Sequence, residues 1–120
     1  MLKFQLESLS KKEFSKDVLV SLISGSEITL NYFELISDKV TISVHEHPVE
    51  HLVILLKGEV EFCIEEERSK IKEGEGLFIQ ARAKHTARGI RYPVKALEIF
   101  EKTEDKYYSH VKQETLNNIT

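Results

Sequence analysis

Between Glu59 and Glu65 the chain alternates without a break. Val60, Phe62 and Ile64 fall on one face, and Glu59, Glu61, Cys63 and Glu65 on the other. A period of two is what a strand with one buried face requires. The same signature recurs along most of the sequence. Asp17 to Ile23 reads as a strand closed by Ser24-Gly25-Ser26, and Glu27 to Ile36 is rich in β-branched and aromatic residues. Val40, Ile42 and Val44 alternate with Lys39, Thr41 and Ser43. Glu50 to Leu56 is a buried run that stops at Lys57-Gly58. A hairpin corner at Glu65-Glu66-Glu67 leads into a strand over 68–72, and Leu77-Phe78-Ile79 follows the Gly74 and Gly76 turn. His85 to Tyr92 and Val94 to Phe100 complete the set. Eight or nine short strands separated by glycine-bearing turns predict an all-β sandwich or closed barrel. Residues 1–16 read as an N-terminal arm, 17–101 as the β-barrel, and 102–120 as a polar C-terminal tail or helix.

The chain has 120 residues, enough for one domain. Its 41% hydrophobic and 31% charged residues provide both a core and a polar surface. Seventeen Lys and Arg stand against twenty Asp and Glu, a net charge of −3, so no basic excess is available for a general nucleic-acid binder. The longest strictly apolar run, Leu52 to Leu56, is far too short for a membrane helix, so no membrane partner is expected. No basic stretch followed by an apolar one opens the sequence. Cys63 stands alone and forms no internal disulfide, so a cytoplasmic protein is the expectation.

Four of the five histidines form a pattern: His45, His47, His51 and His85. His45 and His47 are two apart on a predicted strand, so both imidazoles point to one face. Pro48 then ends central pairing, and His51 re-enters just before the buried run. His85 is distant in sequence, but a barrel brings a distant strand alongside the first pair. Imidazole ligates Zn, Fe, Ni, Cu, Mn and Co in its neutral form, so residue type leaves the identity of a divalent ion open. Glu50 beside His51 reads either as a carboxylate orienting an imidazole or as a rim residue. If the strand from His85 keeps its period, Ala87 and Gly89 share its inward face and leave room beside the metal.

At these residues the sequence resembles the cupin family. Its first motif, glycine, five residues, His-x-His, three or four residues, Glu, six residues, glycine, corresponds to His45-Glu46-His47, three residues, His51, six residues, Gly58. The second motif, glycine, five residues, Pro-x-Gly, two residues, His, three residues, Asn, corresponds to Gly74, then Gln80-Ala81-Arg82, His85 and Gly89. His51 stands where the usual carboxylate ligand sits, and Val40 where the first motif opens on glycine. The likeness implies a cupin-type barrel, or double-stranded jelly roll, that binds a divalent metal through His45, His47, His51 and His85 and pairs as a homodimer.

The stretch His45 to His51 is most similar to small cupins related to the pectin-degradation protein that linearises unsaturated uronates, and also to four-His cupins of dioxygenase type. The expected partner is therefore a small-molecule ligand or substrate, with no nucleic acid involved. Two classes stay open. One is a small metalloenzyme, of isomerase, lyase or dioxygenase type, acting on an oxygen-rich molecule such as a sugar acid or another enolisable acid. The other is a non-catalytic barrel that binds or senses a small ligand.

Overall fold

The computed structural model describes residues 1–38, 40 and 42–108. Eight strands run β1 (Lys12–Ser15), β2 (Val18–Ser24), β3 (Ile28–Leu35), β4 (Ile42–His45), β5 (His51–Ile64), β6 (Glu67–Lys72), β7 (Gly76–Ile79) and β8 (His85–Glu101). A 3-10 turn at Leu6–Ser8 precedes them, and a second, Lys102–Tyr108, follows. Residues 102–108 of the expected 102–120 tail form this second turn; the remainder, with His110, lies outside the described residues. The expected arm over 1–16 holds the first turn and the edge strand β1, which pairs with β2. Among the described residues no helix is long and apolar enough to cross a membrane.

All pairings are antiparallel, and the architecture is the double-stranded jelly roll expected of the sequence. Two long strands build both halves. The end of β8, Val94 to Glu101, pairs with β3 and with β5 over His51 to Lys57. Its beginning, His85 to Arg91, pairs with β4 and with β5 over Glu59 to Ile64. The sequence reading ended one strand at Gly58 and another before Val94. Instead β5 and β8 run on through these points and bend, with register shifts between Leu55 and Val60. Gly58 makes the bend in β5 possible. Its φ is +89°, and a Cβ there would lie 2.5 Å from the Arg91 carbonyl oxygen and 2.7 Å from that of Pro93. Only glycine lets β5 approach β8 so closely.

The Glu65-Glu66 corner is a two-residue hairpin turn with both φ values positive, 47° and 72°, and Ile64 pairs with Glu67 across it. Inward-facing side chains of the two halves meet in the core. Val18, Leu35, Val53, Leu55, Val60 and Phe62 are among its buried members. On the outer face of β2 and β3, Ile23 and Tyr32 form a second cluster with Leu9, which the N-terminal segment supplies.

Candidate metal centre

The barrel brings the predicted histidines to one end of its interior. β4 delivers His45, and the following turn carries His47 inward to 3% exposure. His51 opens β5 and is 1% exposed, while His85 opens β8 and pairs directly with His45. The rings of His45 and His85 lie 4.1 Å apart between centroids, and those of His45 and His47 lie 4.9 Å apart. One ring nitrogen from each of His45, His47 and His85 falls within 4.8 Å of the others. Two nitrogens at about 2.0–2.1 Å from one tetrahedral ion are about 3.4 Å apart, so the rings must close by roughly an ångström to coordinate together. His51 lies outside that triplet. Its ring stacks on His47 at 4.3 Å and on Phe100 at 5.0 Å.

Hydrogen bonding sets the proton on each imidazole. Nδ1 of His45 donates to the Ser43 carbonyl at 2.9 Å, and Nδ1 of His85 donates to the Ala83 carbonyl at 2.8 Å. A carbonyl only accepts, so these nitrogens carry the hydrogen and Nε2 keeps its lone pair. The two most buried rings face carboxylates instead. His47 Nδ1 lies 3.2 Å from Glu104 Oε1, and His51 Nδ1 lies 2.9 Å from Glu98 Oε2. All four rings are thereby turned to offer Nε2. That of His51 is buried with no hydrogen-bond partner among the described residues. Such an orphaned lone pair is costly unless something occupies it, and a metal ion does so. The donor set fits a divalent cation.

Electrostatics agree with neutral imidazoles. Burial, reinforced by the neighbouring His51, pushes His47 down to about 4. Burial also lowers His85, against the opposing bond to Ala83. Glu104 is raised by its own burial.

Glu98 and Glu104 were not read from the sequence as site residues. Glu98 had a signal, since it interrupts the inward apolar series Val94, Ala96 and Phe100 of β8. Glu104 had none, because it comes from the 3-10 turn folding back over the barrel end. Glu50, the carboxylate considered from sequence, is exposed. Tyr107, from the same turn as Glu104, lies edge-on to His47 at 4.6 Å and stacks over His45 at 6.0 Å. The three clustered histidines open into a cavity of about 360 Å³. Ala87 lines it as expected. Gly89 does not, because the Tyr92 ring occupies the space where its Cβ would lie.

A jelly roll with a histidine cluster at one end of its cavity defines the class of protein. The chain belongs to the cupin family, whose Cupin domain matches residues 31–100. Solved structures share the fold at low identity. KdgF from Halomonas sp. superimposes with a TM-score of 0.80 at 11% identity, covering 89% of this chain and 98% of that one. An RmlC-like cupin from Shewanella frigidimarina gives 0.76 at 12%, covering 88% and 93%. An RmlC-like cupin with a double-stranded beta-helix fold from Methanocaldococcus jannaschii gives 0.64 at 17%, covering 83% and 96%. No curated protein matches the sequence significantly.

Proposed function

We propose that this cupin is a divalent-metal enzyme acting on a small molecule that presents an oxygen atom to the imidazole end of the cavity. His45, His47 and His85 would hold the ion, with His51 as a fourth ligand. The observation that carries the reading is the common orientation of the four rings, each with Nδ1 committed and Nε2 free to ligate. A bound divalent ion supplies Lewis acidity toward an oxygen ligand.

The chain's own residues supply the rest. Glu98 accepts from Asn31 Nδ2 at 3.3 Å and holds the proton of His51 at Nδ1. A buried carboxylate, Glu104, and a half-buried one, Glu98, stand behind the ligands and offset the charge that an all-histidine set leaves uncompensated. Tyr107 lines the cavity, and burial raises its phenol above the ordinary value. It therefore stays protonated at neutral pH. The sugar acid suggested by the sequence likeness is one candidate within this class, and the likeness to KdgF is one of fold alone.

Elemental analysis of untagged protein tests the proposal. About one metal per chain is expected, falling in His47→Ala, His85→Ala and His51→Ala. An unsaturated-uronate absorbance assay and an oxygen electrode then separate the isomerase or lyase reading from the dioxygenase one. Metal binding with ligand affinity but no turnover would replace the enzyme with a binding module. A protein that takes up no ion would remove the centre altogether.

A further inference from the structure

The two halves of the barrel change character in the same direction. In the first, His51 pairs with Phe100, and the next inward row is Asn31, Glu98 and Val53. The rows beyond are Phe33, Ala96 and Leu55, then Leu35 and Val94, without a polar side-chain atom. In the second, His45 pairs with His85, and the next inward row is Ile42, Ala87 and Phe62. Phe33, Leu55, Leu35, Ile42, Ala87 and Phe62 all line the cavity. Polarity is thus concentrated at the imidazole end; Ser15 and Ser43 also line the cavity, and the rest of its wall is hydrocarbon or aromatic. Among the described residues no Lys or Arg lines the cavity. Its one carboxylate, Glu98, is already engaged by Asn31 and His51.

This wall discriminates between ligands. A polyhydroxylated molecule entering it would give up hydrogen bonds to water at several hydroxyls and find only Ser15 and Ser43 to replace them. A carboxylate away from the imidazoles would meet no cation. An apolar body loses nothing by entering and gains from leaving water. We infer that the cavity takes a small molecule with one oxygen-bearing head, set against the imidazoles, and a hydrocarbon or aromatic body lying along the apolar rows. The head-group half rests on the metal reading above. The apolar half stands without it, so the two fail separately.

Calorimetric titration with two homologous series tests the inference. Propanol to hexanol is measured on the metal-free chain, and propionate to hexanoate, with glucuronate and galacturonate, on the zinc-loaded protein. Affinity is expected to rise about fourfold per methylene in both series. The two uronates should bind the zinc-loaded protein more weakly than hexanoate. Ala87→Phe, and the milder Ala87→Leu, fill the first apolar row beyond the imidazoles and should flatten both series. The inference is overturned if hexanol and hexanoate bind no tighter than propanol and propionate. It is overturned equally if the uronates match hexanoate, or if neither Ala87 variant changes the gradient. A chain that takes up no zinc but shows the alkanol gradient refutes the metal reading and keeps the apolar cavity.

Discussion

Replacing Gly58 by alanine, beside the same change at Gly74, separates two costs that a motif glycine combines. Both residues have left-handed backbones, φ +89° and +85°. An L residue at such an angle costs about 1–2 kcal/mol. Loss of glycine's freedom in the unfolded chain returns about 0.4–1 kcal/mol. Gly74→Ala should therefore destabilise by roughly 1 kcal/mol, because nothing lies within 4 Å of its new Cβ. At Gly58 the Cβ meets two backbone oxygens of β8, at 2.5 and 2.7 Å, where a carbon–oxygen contact normally sits near 3.3 Å or more. Backbone cannot turn aside as a flexible side chain does, so β5 and β8 must separate by a good half ångström. Overpacking of that kind costs about 1–3 kcal/mol more. The expected difference between the variants is about 2 kcal/mol, or roughly 10 °C in melting temperature for a chain of this length. Thermal unfolding by circular dichroism, with chelator present so that metal linkage adds nothing, measures it. Equal melting temperatures for the two variants would refute the reasoning, since the strand approach would then cost nothing.

The remaining predictions concern the centre, the N-terminal segment and assembly. Glu98→Gln offers His51 an amide that can donate to Nδ1, so the ring no longer reliably presents Nε2; metal affinity should fall about 10- to 100-fold, while Glu50→Gln leaves it unchanged. Direct titration with zinc against a competing chelator checks both. Hydrogen bonds from Tyr32, and then from Lys95 and Lys11, hold the Glu7 carboxyl down to about 2. Its contribution should be complete above the ordinary carboxylate value of 4.5 and fade as pH falls toward 2. Amide exchange over residues 5–9 should report this loosening of the N-terminal segment, and Glu7→Gln should remove its pH dependence. Homodimer formation predicts a species of twice 13.9 kDa by sedimentation. Phe78 pairs with Leu52 on an exposed apolar strip, so Phe78→Glu should shift that species toward monomer without unfolding it.

Alternation made most of the fold legible. Val60, Phe62 and Ile64 point inward as their spacing requires, and the Glu65-Glu66 corner is a tight hairpin. Continuity was not legible. Gly58 and Pro93 interrupt the pattern, and a local interruption looks the same whether the strand ends or turns a corner into a second sheet. What decides is the partner across the gap, here β8 for β5 and β5 for β8, and pairing between distant segments is absent from any local pattern. Gly89 failed for a related reason. Its period placed it inward, but the space left by its missing side chain belongs to Tyr92, three residues on, around the same bend.

The four imidazoles divide in the same way. His45 and His85 are each fixed by the carbonyl two residues earlier, a contact that a strand entry can supply from its own backbone. His47 and His51 are fixed by carboxylates 57 and 47 residues away. Burial alone does not make the division, since His85 is also buried at 5% exposure. The carboxylate-bound rings are 3% and 1% exposed and stack face to face, where a divalent charge would find least water to share it. Placing Glu98 and Glu104 behind those two rings puts negative charge beside the stacked pair, while backbone carbonyl dipoles serve His45 and His85. A carboxylate pointing into an apolar strand face is thus the trace that such a centre leaves in sequence. Glu98 shows it on β8, whereas Glu104, arriving on a turn from beyond the barrel, leaves no periodicity to break.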